Sequence, residues 1–239
     1  MPFKKVRVSP ILDLDAYSNN DLIFDLTEIP LPIKGACLLR NMTIVNKTTD
    51  HNIDMGLIFL NNNTTSFGAL NQGTMNLTYM EARDRVLGFI ETDSLTKTAT
   101  DDWDNFLLHT TVLAVTTAGQ AKNQFFNGMI LEPESGSNSV YFAAIDANEA
   151  PTYAGATGVD MNGAVSAGAS DTITVKNVDA TLHFKVGDTV VDADDNVVGV
   201  IKSLTATSIV FNDVTGTALA DEEELFTPHS LEFIFDIEY

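Results

Sequence analysis

Residues 192–196, Asp-Ala-Asp-Asp-Asn, have the oxygen-rich composition of a calcium-binding loop. An EF-hand loop takes oxygen ligands at its first, third and fifth positions, glycine at the sixth and a bidentate glutamate at the twelfth. Counted from Asp192, the sixth residue is Val197 and the twelfth is Ser203. Because the bend and the final ligand are both missing, we predict that this segment is a turn between two strands and not a metal site.

The segment TDDWDNF contains the one tryptophan of the chain, Trp103, and its neighbours include Asp102 and Asp104. An indole ring can stack on the face of a sugar while adjacent carboxylates accept hydrogen bonds from its hydroxyls. A tryptophan can equally anchor a loop on the core with its N–H bonded locally. The sequence leaves both interpretations open, so Asp102, Trp103 and Asp104 are candidate glycan contacts.

The other reactive residue types lack the spacing that a catalytic or metal site requires. The histidines form no H-E-x-x-H pattern, and the chain contains no P-loop, G-x-G-x-x-G or G-x-S-x-G motif. Cys37 is the one cysteine, so we expect a small buried side chain and no disulfide within the chain. We predict a non-enzymatic protein without catalytic residues, cofactor or metal. A facing pair of carboxylates, as in a glycosidase, is the enzymatic alternative, because the separation of two acids depends on the fold.

The most basic segment is the N-terminal sequence PFKKVRV, which contributes Lys4, Lys5 and Arg7 as candidate partner contacts. One interpretation is an extended arm that attaches to a neighbouring subunit by strand addition and charge complementarity. The other is the first strand of the fold, with its basic side chains in solvent.

The net charge is −20, and the acids are concentrated toward the C-terminus. Residues 1–129 hold 14 acids and 10 bases, whereas residues 130–239 hold 19 acids and 3 bases. A surface this acidic repels phosphate backbones and anionic lipid, so we expect no direct contact with nucleic acid or with a membrane. No apolar run approaches the roughly eighteen residues of a membrane-spanning helix. The acidic run 221–224 is expected to be a solvated turn.

Alternation of apolar and polar residues indicates the elements that must position these groups. In LEFIFDIEY, residues 231–239, the apolar side chains fall on one face with Ile234 as the single exception, as in a half-buried strand. Seven similar runs before residue 150, separated by turn-rich segments, bring the prediction to about eight strands, which is typical of a jelly-roll-like β-sandwich.

A change of composition predicts a second domain. Residues 151–165 are small, polar and glycine-rich, which indicates a linker, and residues 166–226 contain several short β segments. The final strand resembles the strands of the sandwich. We therefore predict an all-β protein with a sandwich formed by 1–150 and 227–239, and a small β-barrel, 166–226, inserted before the last strand.

Two segments resemble known proteins. LDAYSNNDLIFD and the following IKGACLLRNMTIVNKTTDHNIDMGLIFLNNNTT resemble virion structural proteins of tailed phages, and FKVGDTVVDADDNVVGVIKSLTATSIVF is similar to small barrel modules of such proteins. The resemblance covers residues 11–93 and 184–211. It implies a jelly-roll shell or tail component of the virion without catalytic residues.

From this resemblance we expect a capsid decoration or cement protein whose sandwich binds the particle and whose barrel faces outward. The expected partners are other virion proteins, the major capsid protein first among them, and further copies of the chain, for example in a trimer. A glycan-binding host-recognition module of a tail or fibre is the alternative, and a carbohydrate-active enzyme is the third.

Overall fold

A computed structural model describes residues 2–46, 55–64, 66–73, 76, 78, 85–92, 107–111, 128–147 and 159–239. The chain forms two compact units. Met1–Tyr153 together with Leu231–Tyr239 make the first unit, and Ala154–Ser230 make the second. The described residues contain no helix long and apolar enough to cross a membrane.

Fifteen strands and one short helix are described, and all strand pairs are antiparallel. The first unit contains β1 (Phe3–Val8), β2 (Leu22–Pro30), β3 (Cys37–Asn46), β4 (Met55–Leu60), β5 (Val86–Glu91), β6 (Leu107–Thr111), β7 (Met129–Leu131) and β8 (Ser139–Asp146). The second contains β9 (Val159–Met161), β10 (Thr172–Lys176), α1 (Ala180–His183), β11 (Thr189–Val191), β12 (Val197–Thr205), β13 (Ser208–Phe211) and β14 (Glu224–Leu225). The last strand, β15 (Leu231–Glu238), returns to the first unit.

The first unit is a jelly roll. One sheet has the order β1-β15-β3-β6, with β7 added beside β3, and the other has the order β2-β8-β4-β5. The chain passes from one sheet to the other between β1 and β2, β2 and β3, and β3 and β4, and the final strand enters the centre of the first sheet. Two interlocked Greek keys of this kind define the eight-stranded jelly roll. The predicted fold class is confirmed.

Phenylalanine rings from both sheets meet in the core of the jelly roll. Phe142 of β8 contacts Phe24 of β2, Phe233 and Phe235 of β15 with ring centroids 5.0 to 5.2 Å apart. The contacts between Phe142 and the last two rings have the edge-to-face geometry that aromatic pairs favour. Because β15 supplies two of these fully buried rings, the final strand is part of the core.

The outer face of the β2-β8-β4-β5 sheet is covered by the chain itself. Phe67, in the segment that follows β4, is buried against Leu22, Leu60 and Ala143. The carboxylate of Asp25 holds this segment in place by accepting hydrogen bonds from the Phe67 N–H, at 2.9 Å, and the Ser66 hydroxyl, at 2.6 Å. The Phe67 segment therefore covers part of the outer face of the β2-β8-β4-β5 sheet.

The second unit is a nearly closed barrel. Its strands follow the order β11-β12-β13-β10-β9-β14, and an antiparallel bridge between Val191 and Phe226 joins the end of β11 to the residue after β14. Its own hydrophobic core lies between these strands and includes Val159, Ile173 and Phe211. The inserted small barrel that the sequence predicts is therefore present.

The barrel begins earlier than the composition indicated. β9 lies within 151–165, the range predicted as a linker, and it pairs with β10 on one side and β14 on the other. A strand of three residues is too short to show alternation, and its glycine-rich neighbours dominate the composition. The predicted barrel boundary at residue 226 likewise differs from the observed end of the second unit at Ser230.

Candidate interaction surface

Among the described residues, the N-terminal segment is an edge strand of the β1-β15-β3-β6 sheet. Every residue from Phe3 to Val8 has a partner in β15, in continuous antiparallel register. Val6 faces the core, whereas Lys4, Lys5 and Arg7 are exposed. Of the two interpretations of this segment, the first strand of the sandwich is thus the one observed, and the free arm is not. Contact of Lys4, Lys5 and Arg7 with a partner stays a prediction.

Two of these basic residues form ion pairs with the outward carboxylates of β15. Lys5 Nζ lies 2.9 Å from Asp236 Oδ1, and Arg7 Nη1 lies 3.0 Å from Glu232 Oε1. The side chains of Lys5 and Arg7 remain 69% and 60% exposed. Exposed pairs of this kind contribute only about 0 to 1 kcal/mol to stability. The pairs therefore order the surface more than they stabilise the fold.

A row of residues crosses the strands β1, β15, β3 and β7 near the chain termini. The strand registers align Phe3 with Glu238, Glu238 with Leu38, and Leu38 with Ile130. Phe3 is 63% exposed and Ile130 is 61% exposed, while Glu238 is buried and forms an ion pair with Arg40. We call Phe3, Leu38 and Ile130 with the Arg40–Glu238 pair the terminal row. It presents apolar side chains around a fixed ion pair, a mixture that protein interfaces use.

The terminal row was not predicted from the sequence. Phe3 and Ile130 are far apart in the chain, and only the strand order brings them to one face. A partial signal was available, because in FKKVRV the core-facing position is Val6, which leaves Phe3 on the opposite face.

The acidic run 221–224 of the barrel contains a turn whose first two residues bind Lys176. Asp221 Oδ1 accepts hydrogen bonds from the Gly163 N–H, at 2.8 Å, and from Lys176 Nζ, at 3.2 Å. Glu222 also pairs with Lys176, at 3.1 Å. The backbone bond from Gly163 and then the lysine hold the pKa of Asp221 below its usual value. These acids have structural uses, and among the described residues no group of three or more His, Cys, Asp or Glu is arranged to hold a metal ion.

The segment 192–196 is the predicted turn. Asp192 is buried, and its Oδ1 accepts hydrogen bonds from the backbone N–H groups of Asp194, at 3.0 Å, and Asn196, at 2.8 Å. The Asn196 side-chain amide donates to the same carboxylate. Asp195 takes a left-handed conformation with φ of 61°. The Asp192 carboxylate is therefore occupied by its own turn.

Cys37 and His183 are two further titratable residues, and the surroundings of each indicate a structural role. Cys37 is buried, and desolvation raises the pKa of its thiol, so it is the small buried side chain that the sequence predicts. His183 ends α1, and partial burial lowers the pKa of its imidazole while the charge of Asp179 opposes that shift. Asp179 caps the same helix by accepting a hydrogen bond from the Thr181 N–H.

The candidate glycan contacts Asp102, Trp103 and Asp104 lie outside the described residues. Neither a family model nor a curated protein matches this chain. Within the described residues, the candidate interaction surface is the outer face of the β1-β15-β3 sheet, which includes the terminal row.

Proposed function

We propose that this protein is a non-enzymatic structural protein of a tailed-phage virion that decorates or cements the capsid. The observation that carries the proposal is the arrangement of the chain as a jelly roll with a self-contained barrel inserted before its last strand. A fold alone does not specify a function. The resemblance of residues 11–93 and 184–211 to virion proteins and the exposed apolar side chains of Phe3 and Ile130 support the virion assignment.

In this proposal the sandwich binds and the barrel is displayed. Phe3 and Ile130 are exposed among the described residues, so the terminal row is the surface offered to the major capsid protein or to another copy of the chain. The barrel contains many more acidic than basic residues. The resulting negative charge would keep a displayed domain soluble and would repel nucleic acid.

Rebinding to particles that lack the protein tests this function. We expect the purified chain to bind such particles at saturable sites, and we expect the double substitution Phe3→Ser and Ile130→Ser to weaken binding by about tenfold or more. Ile11→Ser is the matched control, because Ile11 is equally exposed, at 61%, and lies outside the terminal row. Absence of saturable binding by the unsubstituted chain would reject the decoration role. An equal loss in the control would reject the terminal row.

A further inference from the structure

The outer edge of β1 carries backbone groups directed away from the sheet. The Tyr239 N–H donates to the Pro2 carbonyl at 3.1 Å, which marks this pair as a hydrogen-bonded one in the antiparallel ladder. Hydrogen-bonded and non-bonded pairs alternate along such a ladder. The N–H and C=O groups of Lys4, Val6 and Val8 therefore point toward β15. Those of the intervening residues, Phe3, Lys5 and Arg7, point outward.

Among the described residues, no hydrogen bond satisfies the outward groups of Phe3, Lys5 and Arg7. Each of these residues also places its side chain on the solvent face, so the edge offers hydrogen bonds together with two cations and one exposed aromatic ring. Lysines on a free edge can discourage aggregation. An aromatic side chain that is 63% exposed at the same edge has the opposite effect and favours a partner.

The charges of β1 select the partner. If two copies of the chain paired through this edge, the Lys5 and Arg7 side chains of one copy would lie beside those of the other. Like charges on directly opposite residues destabilise a strand pair. In the strand that already pairs with β1, Asp236 lies directly opposite Lys5, whereas Glu232 reaches Arg7 from a diagonal position because Ile234 lies opposite Arg7. Acids placed directly opposite both Arg7 and Lys5 on an added strand would form favourable cross-strand charge pairs.

We propose that β1 is an acceptor for strand addition by an extended acidic segment of another virion protein. In antiparallel register, the incoming segment would place acidic residues opposite Arg7 and Lys5 and an apolar residue opposite Phe3. Its pattern, from N- to C-terminus, is acidic-x-acidic-x-apolar. This extends the proposed function by specifying the partner segment, and it can be tested on the isolated chain without any particle.

The test uses a capped synthetic peptide with the sequence Thr-Glu-Thr-Glu-Thr-Phe-Thr and backbone amide NMR of the full chain. We expect the amide resonances of Phe3, Lys5 and Arg7 to shift on titration and their hydrogen exchange to slow, because new hydrogen bonds form there. The amides of Lys4, Val6 and Val8 already bond to β15 and should change much less. The same peptide with lysine in place of each glutamate should not bind.

Two substitutions at one position separate the hydrogen bond from the charge. Lys5→Ala removes the ammonium but keeps the outward N–H, and we expect roughly two- to fivefold weaker peptide binding. Lys5→Pro removes both, and we expect about tenfold weaker binding or more, while proline remains acceptable on a free edge. Thermal unfolding of each variant verifies that the fold persists.

Equal binding of the acidic and lysine peptides, or shifts located away from β1, would overturn the inference, whatever the stability of the Lys5→Pro variant. A dimer that forms through β1 and excludes the peptide would also overturn it, in favour of a second copy as occupant. Failure of the chain to bind particles would leave this peptide result unaffected, so the two proposals fail separately.

Discussion

Asp192 shows how a single carboxylate organises the barrel hairpin. It accepts hydrogen bonds from two backbone N–H groups and one side-chain amide while almost fully buried. Asp192→Ala leaves these donors without their charged acceptor, so we expect a loss of about 1 to 3 kcal/mol in the free energy of unfolding. The measurement is chemical denaturation followed by a probe in the barrel.

The neighbouring Asp194→Ala is the control for this prediction, because Asp194 is exposed and offers only its backbone N–H to the turn. We expect it to change stability by less than about 0.5 kcal/mol. Calcium should not change the melting temperature of either protein. A calcium-dependent rise that Asp194→Ala abolishes would restore the metal interpretation.

The environment of His183 predicts the direction in which the stability of the barrel changes with pH. Burial lowers its pKa below the ordinary value of 6.5, so the unfolded chain binds a proton more readily than the folded one. The stability of the barrel should accordingly decrease as pH falls below 6.5, and not above it. Asp179→Asn keeps a capping oxygen but removes the charge that favours the imidazolium, so NMR titration should show a still lower His183 pKa. An unchanged or higher pKa in that variant would contradict the assignment.

At the scale of elements, β15 holds the two sheets of the jelly roll together. Phe235 is fully buried and contacts Phe59 and Phe142 of the opposite sheet. We expect Phe235→Ala to lower the free energy of unfolding by about 3 to 5 kcal/mol. Ile234→Thr, on the outward face of the same strand, should cost less than about 1 kcal/mol. Equal effects of the two substitutions in thermal or chemical denaturation would contradict the observed facing of β15.

Some elements of the fold can be predicted from the sequence and others cannot, for physical reasons. The alternation of β15 continues over eight residues, so its buried face was predictable. The aspartates and the asparagine of 192–196 are residue types that favour turns, so this turn was predictable too. The strand β9 was missed because three residues cannot establish a period, and its pairing depends on β14, which lies more than sixty residues later. The terminal row was missed because it depends on which strands are neighbours.

At the scale of the whole molecule, the two units each have a separate core. Replacing residues 154–230 by a short flexible linker should therefore leave a folded jelly roll, because the replacement removes no residue of the jelly-roll core. The barrel expressed alone should also fold cooperatively. The measurement is calorimetry of both fragments beside the full chain. A molten sandwich after the replacement would show that the barrel is needed for its fold.

The proposed decoration role places this chain on the outer surface of a capsid. The most direct measurement is an electron cryomicroscopy map of purified particles that contain the protein. If the protein decorates the capsid, we expect ordered density on the capsid shell that fits the jelly roll. The β1 edge should lie next to a strand of a neighbouring chain. Density for the protein at the tail alone would contradict this role.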